Sequence, residues 1–467
     1  MNCSFIIRLT VIYYHVLDKD IAMLYRYIVS NFLSYKGQAE LTMFPMEATE
    51  AERNEAEIQP SPIAVIMGAN ASGKSNLIKS IDFSRDVILG ITQINSGRNL
   101  CYKLDEESVT SPTLFSYEIV LDGRLYQYGF AVQFNMNRIE QEWLVSMDDD
   151  QTLMERAYDE TTGTYQFQFA EEGWTDSERQ RMRVYEEDWQ RAYTQLVLTD
   201  LVVRNTAESA SWAIYREVFQ WFKNLTVIFP DSHYNLLIGV TLDERKVNEM
   251  YKEYFELFDI RIENIHLNEV PLFLLNLPQP VASEVKKDLM AHRMSDNQSA
   301  RVLINHNNHE YQLELNNAGE LVAKEVQFRH LKADGKTTYD FAKYEESDGT
   351  QRLFDLIPAL ARLVAGKGVF VIDEIDNRLH SLLTRHLLAT YLEKARGKQS
   401  QLICTTHEQS LMDATLLRPD EIWMVQRENE QTGSVLYPLS KYKVRFPENL
   451  EKNYLLGRYQ GVPVFHT

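Results

Sequence analysis

Residues 68–75 read Gly-Ala-Asn-Ala-Ser-Gly-Lys-Ser, a complete G-x-x-x-x-G-K-[ST] loop, and the preceding run Ile63 to Met67 is wholly apolar. A short apolar run bounded by glycine reads as a buried strand, and the residues from Asn76 to Ile81 read as the opening of a helix. Strand, glycine loop and helix in that order commit the chain to an α/β fold. Gly68 and Gly73 allow the backbone to curl so that successive N–H groups and the helix N-terminus point at a polyphosphate. Asn70, Ala71, Ser72 and Asn76 complete the phosphate-binding stretch. Lys74 supplies a point charge to the terminal phosphates, and the Ser75 hydroxyl is a Mg²⁺ ligand.

A second strand signal, Lys367 to Ile372, ends in Asp373-Glu374. There Asp373 suits the Mg²⁺ shell and Glu374 suits polarisation of an attacking water. Ahead of it, Ser347-Asp348-Gly349-Thr350 precedes the apolar helix Leu353 to Val364, a turn that offers N–H groups and a hydroxyl at a helix N-terminus. After it, Gln401 to Thr406 reads as a buried strand with His407 at its carboxyl edge, where ligands sit in open α/β sheets. In this order, His407 reads as a sensor of the γ-phosphate. The stretch Ile375 to His380 reads as the start of the next helix, with Asp376 either touching a second subunit or serving as an ordinary helix N-terminal carboxylate.

The rest of the chain organises around these motifs. Residues 1–22 read as an N-terminal extension broken by Arg8, His15 and Asp18-Lys19-Asp20, without the pattern of a signal peptide. Residues 23–170 form a first lobe: two strands between Met23 and Met43, an acidic loop around Glu47 to Glu57, the glycine loop, and an antiparallel β subdomain. That subdomain includes a hairpin turned at Asp122-Gly123 and strands at Ile139 to Val145 and Thr164 to Phe169. Residues 171–298 change to helical periods, most clearly from Ser177 to Phe258 with a break at Asp231-Ser232-His233, and read as a helical insertion without sustained heptads. Residues 299–440 form a second lobe, strand-rich to 331, and 441–467 form a basic tail.

Charge and cysteine use exclude several classes. With 48 Lys and Arg against 67 Asp and Glu, the net charge is −19, so nucleic-acid contact requires a local basic patch. The candidates are Arg179, Arg181 and Arg183 among acidic neighbours, and Lys441, Lys443, Arg445, Lys452 and Arg458 beside Glu448 and Glu451. Cys3, Cys101 and Cys404 are far apart and form no C-x-x-C pair, which argues against a disulfide framework or a zinc site and fits the cytoplasm. No apolar run approaches the ~20 residues that span a bilayer. Asp148-Asp149-Asp150 reads as a solvated turn rather than a nuclease centre.

Taken together, Gly68 to Asn76, Ser347 to Thr350, Val371-Ile372-Asp373-Glu374 and Thr405-Thr406-His407 resemble the ABC-type ATPase heads of the RecF and SMC superfamily. More narrowly, Asn31-Phe32-Leu33-Ser34-Tyr35, Asp420-Glu421-Ile422-Trp423 and the ending Tyr454 to Pro463 resemble the RloA-like ATP-binding proteins of defence islands. The resemblance implies a two-lobed mixed sheet and ATP with Mg²⁺ sandwiched in a homodimer or higher oligomer. Gly68 to Ser75, Asp373, Glu374 and His407 of one subunit would face the signature turn of the other, Ser347 and Gly349 above all. Asp348 departs from the paired glycines usual in that turn and would repel a γ-phosphate unless it points away. The glutamine that joins the lobes in such ATPases stays open between Gln133 and Gln141.

The resemblance further implies an ATPase that senses or regulates a separate effector in anti-phage defence, a small nuclease or TOPRIM-type protein. The 60 residues after His407 are expected to be too few for an appended nuclease domain. The alternative is a RecF- or SMC-like repair or chromosome-maintenance ATPase that clamps DNA. A transporter ATPase is disfavoured by the insertion and the altered signature turn.

Overall fold

A computed structural model describes residues 23–45, 60–94, 99–204, 210–231, 244–275, 277–296, 301–306, 309–395, 397–429, 432–442, 449–459 and 461. Residues 1–22, the acidic loop 47–57, and Ser232, His233, Lys443, Arg445, Glu448, Gln460, Val462 and Pro463 lie outside them. The chain divides into two compact units, one of residues 19–230, 363–376 and 384–467 and the other including 231–362 and 377–383.

The larger unit holds two sheets. The first is antiparallel, in the order β2-β1-β4-β5-β6-β7-β8, from β1 (Met23–Ser30), β2 (Ala39–Thr42), β4 (Thr113–Leu121), β5 (Arg124–Gln133), β6 (Arg138–Ser146), β7 (Gln151–Asp159) and β8 (Thr164–Phe169). The hairpin between β4 and β5 turns at Asp122 and Gly123 with φ of 48° and 78°, the positive pair that matches the twist of tight hairpins. Aromatic pairs knit its buried face, with Phe115 and Phe130 rings 5.2 Å apart and Tyr27 and Tyr117 rings 4.7 Å apart. The second sheet runs β18-β17-β3-β16-β15-β9, from β3 (Ile63–Met67), β9 (Leu225–Ile228), β15 (Val369–Ile372), β16 (Gln401–Thr405), β17 (Ile422–Asn429) and β18 (Gly433–Pro438). Its central strands pair in parallel, and every residue of β3, β15 and β16 is buried, which explains their unbroken apolar runs.

In chain order the helices of this unit begin with α1 (Lys74–Ile88), α2 (Glu106–Thr110), α3 (Asp176–Trp189), α4 (Val197–Arg204) and α5 (Ala213–Asn224). A capping box at Thr175 and Glu178 starts α3. The start of α4 is docked by Glu142 of β6, whose fully buried carboxylate accepts the Val197 and Leu198 N–H groups at 2.7 and 2.9 Å. Burial pushes the Glu142 carboxyl above its ordinary range, opposed by Arg156.

The smaller unit is built on an antiparallel sheet in the order β10-β13-β12-β11 with β14 also paired to β13. Its strands are β10 (Asn264–Val270), β11 (Arg301–His306), β12 (His309–Leu315), β13 (Leu321–Leu331) and β14 (Thr338–Ala342). Helices α6 (Glu244–Leu257), α7 (Gln279–Asp296) and α8 (Asp348–Val364) follow, and Leu275, Val285, Leu289, Leu313 and Ala323 form a core cluster. Two further helices, α9 (Ser381–Lys394) and α10 (Leu450–Leu455), complete the chain.

Three local expectations change. The span 171–298 carries strands as well as helices: β9 joins the sheet of the glycine loop beside β15, and β10 joins the smaller unit's sheet. The helix after Glu374 starts at Ser381: the Ile375 N–H is bound to Thr405 O, so the backbone there follows β16, and Arg378 takes a φ of 62°, which a right-handed helical turn does not accommodate. Strand β7 emerges from a polar stretch that gave no alternating signal; its inward residues are Met154 and Arg156.

Candidate functional site

The glycine loop leaves the buried end of β3 and enters α1. A Cβ on Gly68 would stand 2.2 Å from Val425 O, and one on Gly73 would stand 2.4 Å from Ser434 Oγ, so side chains are excluded at both. Gly73, with a φ of 117°, is the N-cap of α1 and gives it no side-chain cap. The helix therefore presents N–H groups with no capping oxygen of its own, as an anion site requires. Ser72 Oγ is buried with no hydrogen-bond partner among the described residues, a second feature that a phosphate oxygen would satisfy. Lys74, 5% exposed, donates its ammonium to Gly68 O at 2.9 Å and Ala69 O at 3.1 Å. Desolvation lowers the Lys74 pKa from the ordinary lysine range, partly offset by Asp373, Glu374 and Asp376. Ala71 adopts a φ of 61° within the curl.

The acid pair arrives from 298 residues away. Ser75 Oγ donates to Asp373 Oδ1 at 3.2 Å, which joins the two expected Mg²⁺ ligands. Thr405 Oγ1 donates to the same Asp373 oxygen at 2.6 Å and accepts the Glu374 N–H at 2.7 Å. Thr405 thus fixes both acidic residues from the neighbouring strand. His407 Nε2 lies 3.9 Å from Glu374 Oε1, with side-chain exposures of 40% and 33%, so both reach solvent where Asp373, 4% exposed, does not. The Asp376 carboxylate accepts the His407 N–H at 3.2 Å. That bond replaces the helix-cap alternative for Asp376, since α9 begins five residues later.

Several supporting residues carried little sequence signal. Ser434 of β18 donates to Ser72 O at 2.6 Å, and its N–H donates to Ser34 O at 2.7 Å. Asn76 donates to Ser34 Oγ at 2.9 Å, and the buried Tyr35 hydroxyl donates to Gly73 O at 3.1 Å. The stretch Asn31 to Tyr35, noted only for its resemblance, is thus a brace for the loop. Gln401, fully buried, exchanges hydrogen bonds with the Leu24 backbone at 2.6 and 2.9 Å and ties β16 to the start of β1. A polar residue opening an apolar strand was the one signal available for it.

The turn at Ser347 belongs to the smaller unit. Ser347 caps α8 by accepting the Thr350 N–H at 3.2 Å, and its hydroxyl pairs with that of Thr350 at 2.8 Å. Ser347 and Asp348 are exposed, and a Cβ on Gly349 would lie 3.2 Å from Arg378 O. Both glutamine candidates are engaged elsewhere, Gln133 donating to Thr110 O at the end of α2 at 2.6 Å and Gln141 donating to Glu155 Oε1 of β7 at 2.9 Å. Among the basic candidates, Arg179 is paired with Glu171 and Asp176, Lys441 lies over the Tyr437 ring, and Arg458 donates to Asn453. No helix among the described residues is long and apolar enough to cross a membrane.

A mixed α/β fold with a glycine loop between a buried parallel strand and an uncapped helix, facing an acid pair, defines a P-loop NTPase. The chain belongs to the family described as "AAA domain, putative AbiEii toxin, Type IV TA system", whose model matches residues 63–413. No curated protein matches it. Among solved structures it is similar to an SMC head domain from Thermotoga maritima, at 14% identity and a TM-score of 0.37, covering 89% of this chain and 98% of that one. It is also similar to an Smc head domain with an extended coiled coil bound to the C-terminal domain of ScpA derived from Pyrococcus furiosus. That match has 14% identity and a TM-score of 0.35, covering 91% of this chain and 98% of that one. At such scores the superpositions are too loose to transfer residue positions.

Proposed function

We propose that the protein binds and hydrolyses ATP with Mg²⁺, closes as a homodimer around the nucleotide, and uses that cycle to control a separate effector in anti-phage defence. The observation that carries the ATPase reading is the 3.2 Å contact between Ser75 Oγ and Asp373 Oδ1, with Lys74 and Glu374 beside it. In this reading Gly68 to Asn76 hold the phosphates and Ser75 and Asp373 hold Mg²⁺. Glu374 polarises the attacking water, and His407 contacts the γ-phosphate. The Ser347 to Thr350 turn, exposed at Ser347 and Asp348 at the α8 N-terminus, is the part offered to a second subunit as an ABC-type signature. Its exposure in this chain is what supports that role, and Asp376 is offered as the contact beside the acid pair.

The defence role rests on the RloA-like motifs and on a family description that names a putative toxin of a Type IV TA system. The alternative is a DNA clamp of the RecF or SMC kind, and the acid-paired Arg179 gives it no support. Tagged Glu374→Gln protein, purified with ATP from cells that retain the neighbouring genes, tests the reading by mass spectrometry. A stoichiometric small nuclease or TOPRIM-type protein is expected. Recovery with DNA and replication proteins instead would move the assignment to the clamp.

A further inference from the structure

The ending Tyr454 to Pro463 has no place in the phosphate chemistry, yet its described part folds against the P-loop. The Tyr454 hydroxyl donates to Gly461 O at 3.1 Å, and both residues are buried. Two residues earlier, Tyr459 O accepts the Tyr437 hydroxyl at 3.1 Å, while the Tyr459 hydroxyl accepts the Asn453 amide at 3.1 Å. These bonds tie α10, the following turn and β18 into one unit. A Cβ on Gly461 would stand 2.9 Å from Met424 Cε and 4.0 Å from the Cα of Gly68, so Gly461 lies beside the first P-loop glycine, close enough that an added methyl group would just reach it. Gly68 is also packed against β17 at Val425 O, and its own carbonyl receives the Lys74 ammonium.

We propose that residues 449–459 together with Gly461 form a cis positioning element of the nucleotide site: by holding Gly461 beside Gly68 and Met424, they steady the P-loop entrance and set nucleotide affinity. It acts through Gly68 and Lys74 and makes no contact with the reacting atoms. The inference rests on the ATP-binding reading, and its test separates the two.

Binding of a fluorescent ATP analogue is measured on the full chain for wild type, Lys74→Ala, Tyr454→Phe and Gly461→Ala. KM, kcat and the melting temperature without nucleotide are measured beside it. Tyr454→Phe deletes one neutral hydrogen bond and is expected to raise Kd and KM about three- to tenfold, with kcat unchanged and the nucleotide-free melting temperature lowered by no more than a few degrees. Gly461→Ala, at a φ of 71° and against Met424, is expected to shift affinity further. If wild type and Lys74→Ala bind alike or not at all, the ATP-binding reading fails. If Lys74→Ala alone loses binding while Tyr454→Phe and Gly461→Ala match wild-type Kd, the segment is a structural cap and this inference is overturned.

Discussion

The two units hold their functional segments in opposite ways. In the larger unit the glycine loop and acid pair are fixed by buried bonds from distant parts of the chain: Ser434 and Tyr35 on the loop, Thr405 on Asp373 and Glu374. In the smaller unit, Ser347 and Asp348 are exposed and the turn to Thr350 is held by bonds within four residues, whereas a buried ion cluster lies elsewhere in the unit. There Lys343 bridges Glu310 at 2.7 Å and Asp355 at 2.6 Å, all three nearly fully buried. Desolvation pulls the Lys343 pKa down, but the two carboxylates outweigh it and hold it above the ordinary range. Phosphate chemistry needs donors that do not reorganise at the moment of reaction, and the larger unit supplies them.

The largest test of this contrast is Glu374→Gln, expected to lower kcat for ATP hydrolysis by about 10²- to 10⁴-fold while ATP still binds. Turnover at the wild-type rate would remove the general-base assignment. Next, Lys343→Met leaves two buried carboxylates without their cation and is expected to cost about 3–5 kcal/mol of stability, read by urea unfolding. A near-neutral result would mean that the smaller unit does not depend on its buried bridge. Thr405→Val removes the hydroxyl behind the acid pair, and the Mg²⁺ dependence of hydrolysis should weaken by about 10- to 100-fold. The same dependence in wild type and variant would show the acid pair to be self-supporting.

The smallest effect belongs to the partly exposed pair Arg329 and Asp340 of the smaller unit, a two-pronged contact at 2.7 and 2.9 Å. Its hydrogen bonds to Arg329 hold the Asp340 carboxyl below its ordinary range. The stability it contributes is therefore complete above the unfolded carboxylate value of about 3.9 and is lost as pH falls through the lower folded value. Asp340→Asn should lower stability by under about 1 kcal/mol at neutral pH and flatten that acid limb.

Legibility in the sequence followed the physics of each segment. The buried strands β3, β15 and β16 were readable because strands covered on both faces are continuously apolar, and the Asp122-Gly123 hairpin because its turn needs positive φ. Strand β9 was hidden inside a helical stretch: four residues, Leu225 to Ile228, are too short for any period to register. The P-loop and acid pair were readable as motifs, whereas Ser434, Ser34 and Gln401 were not, since a lone serine or glutamine acquires its role only from what the fold places opposite it. Of the two readings of Asp376, the helix N-terminal one needed a helix from Ile375, which the positive φ of Arg378 interrupts.

The most direct test of an ATP site completed by two copies is the mass of Glu374→Gln in solution, by light scattering with and without ATP and Mg²⁺, alongside Ser347→Arg in the same background. The expected result is a doubling of mass with ATP that Ser347→Arg abolishes. A species that stays monomeric in both conditions, with wild-type protein fully active at high dilution, would contradict it.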